Sequence, residues 1–257
     1  MKIFSGSVYN NTVGPPGLRL RMLLIFLGSV LLLVYISSDR VQINLLKILY
    51  PGETQFTHSR VSLLSMTIVH ILLTLSATAL SVIFGAGFGI LVTRKAGRDF
   101  QAIILRLNGL VQTFPPSAVI ILAFPLLGFG WKPTLLALFL YSLFPVIGNT
   151  VMGFKAVDPL ILDAAEGLGM SERQKLSLVE IPQALPLIMT GIRHAFILNI
   201  GTASIGAIIG AGGLGTIIMS GLVLQNSALV FSGALTTVAL ALLGEQCINL
   251  VEKIMLR

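Results

Sequence analysis

In this 257-residue chain the side chains with the clearest chemical spacing are Asp163-Ala164-Ala165, then Gly169, then Val179-Glu180-Ile181-Pro182. Alanine and glycine at 164, 165 and 169 are small residues, and Asp163 beside them is a carboxylate. The flanking residues set the elements that would present them. Asp158-Pro159 is a capping acid followed by proline at the first helical position, which predicts a short helix stopping near Gly167 or Gly169. Ser171 with Gln174 is a capping-box pattern for a second helix, expected to end before Ile181-Pro182, where proline disfavours continuation. Helices of about ten residues do not hold their shape alone in water. A hairpin over 155–186 must therefore dock, on its own bundle or on another protein.

A second group of polar residues lies in apolar sequence, where polar groups are costly unless they face protein or water. Gln112, Thr113 and Ser117 flank Pro115 and Pro116. The missing proline donors free backbone carbonyls and predict a kinked helix beside a cavity. Asn199, Thr202 and Ser204 fall within another apolar run. These are candidates for a solute path, although helix-to-helix hydrogen bonding uses the same residue types. Gly210, Gly212, Gly213 and Gly215 mark a break after that run and a candidate outer gate. Gly85 with Gly89, and Gly206 with Gly210, have the spacing of small-residue helix packing.

Catalytic patterns are missing. No nucleophile with its base and no pair of carboxylates falls in the apolar segments, and His70 and His194 lack metal-ligand spacing. No Gly-x-x-x-x-Gly-Lys-Ser/Thr loop occurs, so the chain does not cradle a nucleotide in that manner. Phe114, Phe124, Phe139, Tyr141 and Phe144 are scattered and form no aromatic box of the kind that holds a quaternary ammonium. Trp131 reads as a membrane-interface anchor. The single Cys247 cannot form a disulfide within the chain and reads as a buried small apolar residue.

The elements that must carry these residues follow from composition. Hydrophobic side chains make up 55% and charged ones 11%, against about 25% charged in a soluble domain, and mean hydropathy is +0.94. This excludes a soluble enzyme, a disordered chain and a disulfide scaffold, and the apolar runs are too long for the alternating strands of a barrel. The expected fold class is all-α, a polytopic membrane protein. Residues 22–38, 61–93, 107–131, 133–154 and 194–244 contain no Asp, Glu, Lys or Arg. A spanning helix takes about 20 residues, so the last run holds two. The result is six spans, near 20–38, 66–93, 103–127, 134–153, 187–210 and 226–247. The first reads as a retained span, because Ser37-Ser38-Asp39-Arg40 is a poor cleavage site.

Six spans put both termini on one side. Of the 17 Lys and Arg residues, 13 fall there and four (Arg40, Lys47, Arg60, Lys132) on the other, which places both termini in the cytoplasm. The net charge of +7 is thus a topology signal and implies no nucleic acid. Lys155, Arg173 and Lys175 read as charges for lipid headgroups. Residues 38–60, on the outer side, are too few for a folded solute-binding domain.

The hairpin spacing resembles the EAA loop of ATP-binding-cassette importer permeases: Glu-Ala-Ala, three residues, Gly, nine residues, Ile-x-Leu-Pro. Asp163, Val179 and Ile181 replace Glu, Ile and Leu, and the shorter carboxylate leaves its partner open. Gln112-Thr113-Phe114-Pro115-Pro116, Leu127-Gly128-Phe129-Gly130, Ala156-Val157-Asp158-Pro159, 165–171 and Asn199-Ile200-Gly201-Thr202-Ala203-Ser204 are similar to segments of osmoprotectant (glycine betaine, choline, carnitine) permeases. The run 209–215 is shared with methionine and phosphonate permeases, and the first 60 residues carry no such segment.

The resemblance implies a type I importer permease in a bacterial inner membrane. Residues 1–60 would form a tail, first span and external loop, and 61–257 a five-helix core. The chain would be a transport subunit rather than an enzyme, holding no cofactor itself. Its partners would be a cytoplasmic ATPase dimer binding ATP and Mg, a second permease chain, an extracytoplasmic solute-binding protein and membrane lipid. Asp163, Ala164, Ala165, Gly169, Val179, Ile181 and Pro182 would then meet the ATPase. The alternatives are another small polar solute such as methionine or phosphonate, or a channel or assembly subunit independent of ATP.

Overall fold

The computed structural model describes residues 15–95, 97–111 and 113–256. Its elements are helices: α1 Pro15–Ser37, α2 Asp39–Leu49, α3 Leu63–Thr93, α4 Gln101–Val111, α5 Pro116–Leu127, α6 Trp131–Lys155, α7 Pro159–Gly167, α8 Glu172–Gln174, α9 Ile181–Ala203, α10 Leu214–Val223 and α11 Ser227–Met255. Five stretches are long and apolar enough to cross a membrane: Leu20–Ser37, α3, α6, the continuous Glu172–Ile209 and α11.

α6 lies between α3 and α9, and these three form the centre of the bundle. The close approach depends on glycine. A Cβ on Gly85 of α3 would stand 2.8 Å from Val146 Cβ, and one on Gly89 would stand 2.6 Å from Thr150 Cβ. Without those methyl groups the backbones pack directly, the usual means of association where lipid offers no hydrophobic drive. Leu73, Ala77, Leu138 and Ala203 fill the middle of this contact. α11 flanks α9 and carries α1 on its side, where Tyr35 Oη and Ser232 Oγ are 3.0 Å apart. Much of α1 is exposed apolar surface, as a lipid-facing span requires.

The third expected span is broken rather than kinked. α4 ends at Val111 and α5 restarts at Pro116, with Pro115 extended at φ −64°, ψ 134°. Two consecutive prolines explain this: Pro116 pushes Pro115 out of the helical region, and neither supplies an N–H. The uncharged stretch expected to be an outer loop at 212–226 contains α10 instead. Leu214, Ile217 and Gly221 share its buried face against α3 and α11. Ten residues rise only about 15 Å, half the hydrocarbon thickness, so α10 is too short to cross. The 38–60 segment holds α2, whose Leu46 is buried with Phe56 and Ala228. Gly206 does pack closely, against Thr134, but Gly210 has open space and φ +76°, which makes it a turn. Cys247, expected to be buried, is exposed on α11.

Candidate functional site

The hairpin at 155–186 is built by its caps. Asp158 accepts a 2.9 Å hydrogen bond from the Leu160 N–H, and Pro159 opens α7. At the far end the Gly169 N–H donates to Glu166 O (2.9 Å) and the Met170 N–H to Ala165 O (3.1 Å). This crossed pair is a Schellman cap, and it sets Gly169 at φ +77°, where a Cβ is strained. Among the described residues, nothing beyond its own chain neighbours lies within 4 Å of where that Cβ would be. The glycine is therefore required by the turn, and the space beside it is open to something else. Asp163, Ala164 and Gly169 are exposed, while Ala165 is buried. Leu160 (74% exposed) and Leu168 (80%) stand outward on the same short element.

The second half departs from expectation. The capping box forms, with the Ser171 N–H donating to Gln174 Oε1 at 2.8 Å. The helix does not end at Ile181-Pro182, however; α8 runs through a π-helical stretch, Lys175–Glu180, into α9. The Ile181 N–H donates to Leu176 O, five residues back. Pro182 has no N–H and its ring would strike a carbonyl four residues back in a regular α-helix. The wider turn lets the chain pass, as such bulges do. Val179 and Ile181 are half-buried and Pro182 is exposed. The hairpin is thus rigidly continuous with a membrane span.

A second tie was not legible in the sequence. Glu180, 8% exposed, makes a two-pronged ion pair with Arg94 at the end of α3, with Arg94 Nη1 donating to Oε1 at 3.0 Å and Nη2 to Oε2. The guanidinium also lies 5.1 Å from the centroid of the Phe154 ring, within cation–π range. Lys175, expected to face headgroups, instead bonds Glu172 (2.7 Å) and Glu166 (3.2 Å), joining the two arms of the hairpin. Arg193 of α9 pairs with Glu252 of α11. The hints were Arg94 at the edge of a charge-free run and Glu180 between two apolar neighbours. Their separation of 86 residues hid the pairing.

The candidate path residues fall into two places. Gln112 lies outside the described residues. Thr113 and Pro115 are exposed and Pro116 half-buried at the α4–α5 break, where the Thr113 hydroxyl donates to Leu110 O at 2.6 Å. Asn199 is enclosed among α3, α6 and α9. Its Nδ2 donates to Thr78 Oγ1 and Ser142 Oγ, both at 3.0 Å, and Ser142 meets Ser81 at 2.6 Å. At the next residue of α9, His70 Nε2 of α3 meets Ile200 O at 2.9 Å. Thr202 is buried, and Ser204, half-buried, has an Oγ without a partner among the described residues. α5 reaches the stretch after Ser204 through Ile120, Ile205 and Ile209, an apolar layer away from the prolines.

The glycine cluster forms the turn between that stretch and α10. Gly210, Gly212 and Gly213 have φ of 76°, 82° and 76°. Gly215 is different: a Cβ there would run into the Ser204 carbonyl. A Cβ on Gly213 would stand 3.1 Å from His70 Nδ1. The start of α10 is thus pressed onto both α9 and α3.

Residues 85–256 match the family described as "Binding-protein-dependent transport system inner membrane component". The carnitine transport permease protein OpuCD of Listeria monocytogenes is 35% identical over 185 residues, covering 72% of this chain and 82% of that protein. The glycine betaine/carnitine/choline transport system permease protein OpuCB of Bacillus subtilis is 38% identical over 191 residues, with 74% and 87% covered. The osmoprotectant import permease protein OsmW of Salmonella typhimurium is 35% identical over 198 residues, with 75% and 91% covered. Among solved structures, the MetNI methionine ABC transporter in an inward-facing conformation superposes with a TM-score of 0.64 at 18% identity, covering 74% of this chain and 94% of that one. That likeness bears on the fold, an importer permease bundle. The matched residues contain the hairpin, the Arg94–Glu180 tie, the broken third span and the glycine turn. The chain is a membrane transport subunit, and it belongs to the family of inner-membrane components of binding-protein-dependent transport systems.

Proposed function

We propose that this chain is the permease through which a binding-protein-dependent, ATP-driven importer takes up glycine betaine or a related quaternary-ammonium osmoprotectant. The observation that carries the coupling role is the hairpin. Asp163, Ala164, Gly169, Leu160 and Leu168 face outward on an element locked to α9 through a continuous helix and to α3 through Arg94–Glu180. An exposed apolar helix face offered to a groove is a known recognition mode. The solute class is supported by the named substrates of the relatives.

In this reading the hairpin sits in a cytoplasmic ATPase, which binds the ATP and Mg, and both termini are cytoplasmic. A second permease chain, identical or homologous, completes the membrane unit, and an extracytoplasmic protein delivers the solute. Closure of the ATPases draws the hairpins together. Because α8, the π turn and α9 are one rod, that movement reaches the glycine turn at the other end. The path runs beside the broken third span, by Gln112, Thr113, Pro115 and Pro116, and past Thr202 and Ser204. Asn199 braces the wall. Gly210, Gly212, Gly213 and Gly215 let α10 serve as the outer gate.

The test is uptake of radiolabelled glycine betaine by cells lacking their own betaine transporters and supplied with this chain, its ATPase and its binding protein. Uptake competed by choline or carnitine, but not by methionine or phosphonate, is the expected result. Methionine-sensitive uptake, or uptake that persists without the ATPase, overturns the reading.

A further inference from the structure

On the side of the bundle opposite the hairpin, α2 and the loop before α3 close over a cavity of about 250 Å3. No residue assigned above to coupling or passage lines it. Asp39 and Arg60 bring a carboxylate and a guanidinium to this one space, and among the described residues neither is in a salt bridge. Two opposite charges that share a small cavity without pairing are complementary to a molecule that carries both. Phe56, Ser232 and Ile217 of α10 also line the cavity. The volume lies below the roughly 300–1,000 Å3 of pockets for drug-sized ligands, and an aromatic ring is a favoured neighbour for a quaternary ammonium.

We propose that this cavity is an entry site for a small zwitterion, with Asp39 holding the cationic end and Arg60 the carboxylate. The choice of a betaine-like zwitterion rests on the osmoprotectant reading above; the site itself rests on the cavity and its charges. His58 connects it to the gate. Its Nδ1 accepts the backbone N–H groups of Arg60 (3.1 Å) and Val61 (3.2 Å), which leaves Nε2 as the donor to Ser220 Oγ of α10 at 3.1 Å. The loop that carries Arg60 is thereby fastened to the helix that follows the glycine turn. A zwitterion in the cavity touches both the loop and α10 before the path opens.

The experiment is direct binding of radiolabelled glycine betaine and choline to the complex of this chain with its ATPase, in lipid nanodiscs without the binding protein. Glycine betaine should bind saturably, and Asp39→Asn and Arg60→Gln should each weaken it about tenfold or more, the loss expected for one charge-assisted contact. Choline, which has no carboxylate, should respond to Asp39→Asn and not to Arg60→Gln. Asp39→Glu and Arg60→Lys keep the charges; they should bind more tightly than the neutral variants, and this ranking carries the test if a neutral variant is poorly folded. Absence of betaine binding by the unaltered complex, or equal binding by all variants, overturns the site. Cellular uptake separates this from the solute reading. Uptake with charge-independent binding removes only the site, and charge-dependent binding without uptake removes only the osmoprotectant role.

Discussion

Gly169 combines a left-handed backbone with open space beside it, and the two requirements can be separated by substitution. Gly169→Ala should cost about 1 kcal/mol or somewhat more, because alanine is strained at positive φ. Gly169→Asn tolerates that conformation better but adds a side chain on the open side. If the space belongs to the ATPase, Gly169→Asn and Gly169→Asp should both lose most uptake while membrane levels stay normal. Full uptake by both would show that only the turn matters. Arg94 and Glu180 offer a second test. Their pair is partly buried, so breaking it should cost roughly 1–3 kcal/mol, between the values for exposed and enclosed pairs. Arg94→Gln and Glu180→Gln should each lower uptake, and the double variant should be no worse than either alone. Additive losses in this double-mutant cycle would mean that the two residues act separately.

Among the elements, the π-helical stretch Lys175–Glu180 determines how the hairpin meets its span. Pro182 explains its presence, since the regular bond to the carbonyl four residues back is impossible there. Pro182→Ala restores that donor and lets the segment relax to an α-helix, turning Asp163 and Leu168 relative to α9. The expected outcome is a complex that is stable yet hydrolyses ATP with a weaker response to the loaded binding protein. Unchanged stimulation would show that the wide turn has no part in coupling. The break between α4 and α5 also arises from proline, here the consecutive Pro115 and Pro116, and it leaves Thr113 and Pro115 exposed.

For the whole molecule the arrangement is a three-helix centre of α3, α6 and α9, with ion pairs at the hairpin end and a glycine turn at the other. The excess of basic residues on the hairpin side predicts its orientation. A reporter fused after Arg257 should be active only as a cytoplasmic fusion; an external signal would reverse the topology and remove the hairpin from the ATPase. The hydrogen bonds of Asn199 with Thr78 and Ser142 hold the centre together. Contacts of this kind contribute about 0.6 kcal/mol each in membranes, enough to fix the register of the helices without making the bundle immobile.

The sequence by itself determined the class of the protein, the long apolar spans, the caps at Asp158 and Ser171 and the hairpin glycine. Each of these depends on composition or on residues within a few positions of one another, so local physical chemistry is enough. Tertiary structure decided the rest. Whether Pro115-Pro116 kinks or breaks a helix, and whether Pro182 ends one or is carried in a π turn, depends on the packing around them. α10 could not be read from an uncharged, glycine-led segment, because its apolar face has meaning only once α3 and α11 are beside it. The partner of Arg94 lies 86 residues away in the chain, and a charge acquires its role from what the fold brings near it or leaves unpaired.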